Sequence, residues 1–295
     1  MSNIFQLSVN NKIDWTKIYD ESINEVLHTE EVDVNVIIGF RGRNEFIKPL
    51  IKSFEEAFNY YNNNSEDKKK FILTFVEHDV HANNLNELHD KVNYFWTKGN
   101  VIDQYSRSFS YNYGFKYSNK AKYYLFHDLD ILVKEDFFIR IFKNLGDSKC
   151  LQSYGNRHVW YMSKDITDKL LNNEITLESI SRDNPEITPP LHKGSMGGSI
   201  FVERETYNDI GGFDPELFWG YAAEDQMFWH KALALLGNIK YSDDPVIDMF
   251  HMWHPPTHAT NPLLMVMEQS MIQFKSLDNN KKIEFLQLKK ELLNG

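Results

Sequence analysis

Two short segments carry the residue types of a metal site. Asp128-Leu129-Asp130 follows the apolar run Tyr123-Tyr124-Leu125-Phe126, and His251-Met252-Trp253-His254 follows the strand-like Val246 to Phe250. Residues two apart in a strand point to the same side, which allows both aspartates to face one site. Two hard oxygen ligands there suit Mg²⁺ or Mn²⁺, with diphosphate oxygens completing the shell. Imidazole ligates Mn²⁺, Fe²⁺ or Zn²⁺ more readily than Mg²⁺. Each segment also has a plainer reading. The aspartates fit a solvent-facing turn, and the histidines fit a hydrogen-bonded structural pair beside a Trp. Neither half alone fills a coordination sphere, so their presence together moves the balance toward metal.

Glu224-Asp225 opens a helix that runs to Leu236 and ends at Gly237. Acidic residues in a first turn complement the helix dipole, which is one sufficient reason for them. The other is general-base chemistry, in which the helix N-terminus keeps a carboxylate ionised and a neighbouring acid opposes that. Arg41 and Arg43 follow the first apolar strand, and Arg107 stands in a helix that starts near Tyr105. Their guanidinium groups suit a diphosphate clamp, and equally suit surface ion pairs. No G-x-G-x-x-G and no P-loop pattern is present, so dinucleotide and P-loop readings have no support.

The elements that must position these groups follow from periodicity. Asp33 to Phe40 reads as a buried strand, Asn44 to Tyr61 as a helix with apolar residues at helical spacing, and Phe71 to Val76 as a second strand. That order opens a βαβ unit and predicts a parallel sheet. Further helices are expected around Leu85 to Phe95 and over Tyr105 to Tyr117, with a strand at Tyr123 to Phe126 and helix plus loop over Thr167 to Asn184. Glycines 194, 197, 198, 211 and 212, out of fourteen in the chain, crowd one stretch and imply close backbone approach or tight turns. The organisation expected is a lead-in over 1–33, one domain over 34–262 and an amphipathic helical tail over 263–295 packed on the same domain.

Composition bounds the function. The 295 residues include 42% hydrophobic and 14% aromatic side chains, enough for a sizeable core and too many for global disorder. With 32 Lys+Arg against 42 Asp+Glu the net charge is −10, which argues against a general nucleic-acid binder. Cys150 is the single cysteine, so no internal disulfide forms, as suits a reducing compartment. No signal-peptide core and no apolar run long enough to span a bilayer is visible. A cytoplasmic protein without an integral membrane segment is expected.

In chain order the segments resemble the β-1,4-galactosyltransferase family, glycosyltransferase family 7, and its bacterial relatives. Ile37-Ile38-Gly39-Phe40-Arg41-Gly42-Arg43 looks like its opening strand and Pro-Phe-Arg-Asn-Arg turn. Tyr105-Ser106-Arg107 through Asn112-Tyr113-Gly114-Phe115 is similar to its Phe-Asn-Arg…Asn-Val-Gly-Phe helix, and Phe126-His127-Asp128-Leu129-Asp130 to its Asp-Val-Asp motif. Gly197-Gly198-Ser199, Gly211-Gly212-Phe213 and Trp219-Gly220-Tyr221-Ala222-Ala223-Glu224-Asp225 resemble Gly-Gly-Val-Ser, Asn-Gly-Phe and Trp-Gly-Trp-Gly-Gly-Glu-Asp. His251 to His254 falls where the family has Met-x-x-His.

The resemblance implies a GT-A fold, with a mixed, mostly parallel central sheet flanked by helices. It also implies an inverting transferase that moves a hexose or N-acetylhexosamine from a UDP-sugar to a carbohydrate acceptor, as in polysaccharide biosynthesis. In that family's terms Phe40, Arg41, Arg43 and Arg107 hold UDP, Tyr105 stacks on uracil, and Gly198 and Tyr221 line the donor. Asp130 and His254 ligate Mn²⁺, or Mg²⁺ in its place, with Asp128 contacting donor sugar or metal-bound water. Asp225 is the base and Glu224 orients the acceptor. There are departures. His251 replaces a Met and adds a nitrogen ligand, and Ala222-Ala223 replaces a Gly pair. Ser195 replaces a Tyr that crowds the donor's 2-position, leaving room for an N-acetyl group. The rival readings are a metal-dependent phosphohydrolase built on the dipeptides His78-Asp79 and His127-Asp128, and a non-catalytic binding protein on the same scaffold.

Overall fold

The computed structural model describes residues 3–25, 30–83, 92–99, 105–181, 183–188, 197–220, 223–255 and 264–295, with the backbone alone at 25, 151–158 and 240–246. The first half comprises α1 (Ile4–Asn10), α2 (Trp15–Asp20), β1 (Ile23–Glu25), β2 (Val32–Phe40), α3 (Ile47–Asn64), β3 (Phe71–Asp79), β4 (Asn93–Lys98), α4 (Arg107–Tyr117) and β5 (Ala121–Asp128). The second comprises β6 (Ile131–Val133), α5 (Phe137–Leu145), β7 (Cys150–Met162), α6 (Lys164–Leu171), β8 (Ile187–Thr188), β9 (Ser199–Glu203), α7 (Arg204–Ile210), α8 (Glu224–Leu236), β10 (Lys240–His251), α9 (Leu264–Ser276) and α10 (Asn279–Asn294).

The strands form one sheet in the order β1-β4-β3-β2-β5-β9-β7-β10-β6, with β8 paired to β7. Strands β4, β3, β2 and β5 run parallel. Antiparallel β9 joins β5 to β7, and β10 lies parallel to β7. Short β1 and β6 close the two edges antiparallel. From β2 the chain moves first to one side, to β3, and later to the other, to β5. The carboxyl ends of β2 and β5 therefore flank a topological switch point, where open α/β sheets bind ligands. Gly39 and Asp128 are register partners there.

Side-chain alternation along β2 sends Val34, Val36, Ile38 and Phe40 into a core with Leu50 and Phe54 of α3 and Phe138 of α5. Ile37 points the other way, into a core with Phe109 and Tyr113 of α4, Tyr207 of α7 and Phe228 of α8. Helix α4 lies unusually near the sheet. A Cβ on Gly39 would stand 2.6 Å from Ser110 Cβ, and one on Gly114 would stand 2.6 Å from Ile37 Cγ2. The missing side chains thus let α4 press against β2. Asn35, Thr74, Asn93 and Asn119 form a buried hydrogen-bonded set that fixes the far end of that contact.

The helix expected over Leu85 to Phe95 is corrected at its end. Asn93, Tyr94 and Phe95 belong to β4, where aromatic and β-branched residues pair with β3 (Phe75↔Tyr94). The rest of that expectation, residues 85–91, lies outside the described residues. Helix α5 and strands β7 and β9 add to the expected elements, and β9 begins directly after the Gly197-Gly198 pair with the apolar Ile200-Phe201-Val202.

Candidate active site

Three elements that end together build the first cluster. Strand β5 stops at Asp128, so Asp130 lies beyond the strand. Its backbone carbonyl accepts from Met252 N–H at 2.8 Å, which ties the turn to the segment after β10. Its carboxylate meets His254 Nε2 at 3.2 Å and His251 Nε2 at 3.7 Å. One ligand atom from each of Asp130, His251 and His254 lies within 4.8 Å of the others. Ligands about 2.1 Å from a common ion at right angles are separated by about 3 Å, so small side-chain movements bring this trio onto one metal. A pair of imidazoles with one carboxylate suits Mn²⁺ or another borderline divalent ion.

The electrostatics agree with a cation-binding cluster. Burial pushes Asp130 up, but the hydrogen bond with His254 and the charges of His251 and Arg43 outweigh it and bring it down to about 2. Burial keeps His251 low and thus neutral, as a ligand must be. His254 is raised by its bond to Asp130. The His254 ring places Nδ1 3.0 Å from Pro255 O, an arrangement that donates the Nδ1 proton to the carbonyl, so that a metal would replace the Nε2 proton now shared with Asp130.

Arg43 reaches the same carboxylate, with Nη1 2.5 Å from Asp130 Oδ2. It does so from a left-handed conformation (φ +56°) directly after Gly42 (φ +63°), a turn that costs roughly 1–3 kcal/mol for a residue with a side chain. Arg41 pairs instead with Asp79 at the end of β3, 3.3 Å away.

The second cluster is built around Arg107 at the N-terminus of α4. Nη1 donates to both oxygens of Asp128 at 2.9 Å, and Nη2 donates to Glu224 Oε1 at 2.7 Å and Asp225 Oδ2 at 2.6 Å. Tyr111, one turn further along α4, donates its hydroxyl to Asp128 Oδ1 at 2.9 Å. Burial raises Glu224 to about 7, against the pull of Arg107 and with the help of Asp225. Burial also raises Asp225, opposed by Arg107 and reinforced by Asp128. Glu224 Oε2 and Asp225 Oδ1 make no hydrogen bond among the described residues. The Asp225 side chain is the more accessible of the two, 19% exposed against 7%. Gly197 makes this possible, because a Cβ there would overlap Asp225 Oδ2.

The two aspartates of Asp128-Leu129-Asp130 therefore have different partners, Asp128 in the Arg107 cluster and Asp130 among the histidines. The strand ends between them, the two-residue period no longer applies, and each serves a different cluster. Phe40 is 2% exposed and packs edge-on against Phe75, so its ring belongs to the core. The Tyr105 hydroxyl is buried where a Cβ on Gly39 would stand 2.6 Å from it. Gly198 (φ +80°) accepts the Asp128 N–H through its carbonyl at 2.9 Å. Tyr221, Ala222 and Ser195 lie outside the described residues. The sequence reading missed Tyr111, although its spacing of four from Arg107 puts both on one helix face. Thr167, whose Oγ1 accepts from Trp253 N–H, is not singled out either, and Asp79 is marked only as half of a His-Asp dipeptide, not as the partner of Arg41.

The His-Asp dipeptides do not form a site. His127 is fully buried and its Nε2 bonds Ile131 O at 2.7 Å, while His78 is buried with its ring 4.7 Å from that of Phe109.

No family model matches the chain, and no curated protein matches it by sequence. Solved structures do. TarS 1–349 of S. aureus in complex with UDP-GlcNAc aligns at a TM-score of 0.51 and 15% identity, covering 85% of this chain and 69% of that one. GalNAc-T7 with UDP, GalNAc and Mn²⁺ aligns at 0.50 and 11%, covering 88% and 55%. The catalytic domain of Drosophila β1,4-galactosyltransferase 7 aligns at 0.46 and 13%, covering 78% and 73%. At these identities it is the architecture that is shared, and the chain has the GT-A fold, with a mixed, mostly parallel sheet between layers of helices.

Proposed function

We propose that this chain is a metal-dependent glycosyltransferase that takes its sugar from a UDP-sugar donor and inverts the anomeric centre. One observation carries the reading. The Asp130–His251–His254 cluster lies at the switch point of a GT-A sheet, next to an arginine-bridged set of buried acids. Asp130, His251 and His254 would hold Mn²⁺, or Mg²⁺, which when bound neutralises charge on a departing diphosphate. Arg41 and Arg43 are assigned to the donor phosphates, Arg43 exchanging its present partner Asp130 for them. Asp128 is assigned to the donor sugar. Asp225 takes the proton of the acceptor hydroxyl, and Glu224 accepts a second hydrogen bond from the acceptor. Arg107 holds these acids in place, a role its present contacts favour over direct contact with UDP.

The narrower likeness to glycosyltransferase family 7 rests on its collinear motifs. The small Ser195 and the UDP-GlcNAc and GalNAc named with the two neighbours favour an N-acetylhexosamine donor, with galactose as the other choice. A cytoplasmic setting and a part in polysaccharide biosynthesis complete the proposal. Among the described residues no helix is long and apolar enough to cross a membrane.

Thermal unfolding with UDP and Mn²⁺, separately and together, tests the reading without an acceptor. A ligand at about 100 times Kd adds ~2.7 kcal/mol, or several degrees at roughly 2–4 °C per kcal/mol. The expected result is a shift of that size only with both ligands, lost in His254→Ala. No shift, or the same shift with any nucleotide, removes the donor assignment.

A further inference from the structure

Arg43 holds the oxygen that a metal ion in the histidine cluster would need. Its Nη1 donates to Asp130 Oδ2 at 2.5 Å, and the same oxygen faces His254 Nε2 at 3.2 Å. A carboxylate oxygen offers two lone-pair directions, so these two groups engage Oδ2 fully. The other oxygen, Oδ1, faces His251 Nε2 at 3.7 Å. The guanidinium thus already supplies a positive charge to the one carboxylate of the Asp130–His251–His254 cluster. Arg43 and a divalent ion together would set three positive charges against that single negative one, and like charges in a partly buried site repel strongly. One of the two has to give way.

Arg43 is placed to leave. Its side chain is 31% exposed against 10% for Asp130, so the guanidinium approaches the buried acid from the solvent side. The turn that aims it can stay as it is. Arg43 O accepts from Phe46 N–H at 3.0 Å, and Gly42 and Arg43 both have positive φ. A Cβ on Gly42 would meet nothing within 4 Å, so this glycine serves the backbone conformation and not packing. The turn follows β2, and Asp130 lies just beyond β5, so the ion pair crosses the switch point between the two strand ends. An anion entering there meets a planar fork of donors suited to phosphate oxygens.

We propose that Arg43 is an internal counter-cation of the metal site, which holds Asp130 until a nucleoside diphosphate draws it away, so that the chain binds its metal tightly only together with the nucleotide. The competition between Arg43 and the ion rests on the cluster alone, whereas release by a diphosphate rests on the transferase reading above. Linkage makes the effect reciprocal, with nucleotide and metal each tightening the other by the same factor.

The test is Mn²⁺ binding to the full chain, read from the electron paramagnetic resonance signal of the free ion, with and without UDP. Arg43→Asn removes the guanidinium and keeps a residue that tolerates the left-handed backbone. Without UDP it should bind Mn²⁺ about ten-fold more tightly than the wild type, within the usual range of coupling, and the gain should vanish in Arg43→Asn/His254→Ala. UDP should tighten Mn²⁺ binding by roughly 5–150-fold in the wild type and by less in Arg43→Asn. Arg41→Gln removes the same charge from the same turn, but its partner is Asp79, and it should leave the affinity for Mn²⁺ alone unchanged. If circular dichroism shows that Arg43→Asn fails to fold, Arg43→Gly carries the same expectation. The proposal is overturned if Arg43→Asn binds Mn²⁺ as the wild type does, or if Arg41→Gln gains as much, which would make the effect one of net charge. Tighter Mn²⁺ binding in Arg43→Asn with no response to UDP in either chain would keep the competition and remove the donor reading. Equal Mn²⁺ binding and an equal response to UDP in both chains would keep the donor reading and overturn the proposal.

Discussion

Arg107 sets one positive charge against the carboxylates of Asp128, Glu224 and Asp225 in a buried pocket, so the acids cannot all be ionised cheaply. Burial first, and this surplus of carboxylates second, raise both Glu224 and Asp225, and Glu224, at about 7, suits a group that exchanges protons near neutrality. Asp225→Asn should lower kcat by about 10²–10⁴-fold while the thermal shift with UDP and Mn²⁺ persists. Glu224 gives a stability prediction as well. Its folded pKa of about 7 stands above the ordinary glutamate value of 4.5. The folded chain therefore holds the proton more tightly, and stability is lost as pH rises through that interval. Glu224→Gln, which still accepts from Arg107, should flatten the decline. A Tm series from pH 4.5 to 8 should show the variant gaining on the wild type with rising pH.

Among the elements, α4 decides most of the site geometry, because its first turn carries Arg107 and its second carries Tyr111. Its height above the sheet is set by Gly39 and Gly114, and its tilt by Asn112. Asn112 accepts from Phe213 N–H at 2.9 Å and donates to Phe213 O at 3.1 Å. Gly39→Ala should press on Ser110 and push α4 outward from β2, costing about 1–3 kcal/mol by overpacking. Denaturant unfolding reads that loss, and the UDP–Mn²⁺ shift should shrink with it, since Arg107 moves with the helix. The strand expected at Asp33 to Phe40, a short apolar run closed by glycine, and the helix expected at Tyr105 to Tyr117 are present as β2 and α4. The distance between them was not legible in the sequence, since it depends on which residues lack a Cβ at the crossing.

For the whole molecule, the C-terminal helix is joined to the acid-bearing helix through charge. Lys231 of α8 is completely buried and pairs with Asp214 at 2.7 Å, and Lys289 of α10 pairs with the same aspartate at 3.3 Å and with Glu216. Burial lowers Lys231 to about 8 in spite of Asp214. Close packing accompanies the pairing, for a Cβ on Gly211 (φ +77°) would overlap Lys289 Cβ. Lys231→Met would leave Asp214 short of one partner, and removing one member of a buried pair costs about 3–5 kcal/mol. Urea unfolding should show a loss of that order. The double variant Lys231→Met/Asp214→Leu should recover part of it, since no uncompensated charge then remains.

The sequence by itself determined the elements with clean periods, the acidic opening of α8 and the candidates Asp130, His251 and His254, because these are properties of neighbours in the chain. It also indicated the GT-A fold through motifs in a fixed order. Long-range geometry decided the rest. Asp128 and Asp130 share a motif yet separate into two clusters, because β5 ends between them and their partners arrive from α4, α8 and β10. Arg107 becomes the hub of the acids because α8 delivers Glu224 and Asp225 to it from more than a hundred residues away. Which carboxylate meets which cation is a matter of tertiary packing, and local spacing carries no record of it.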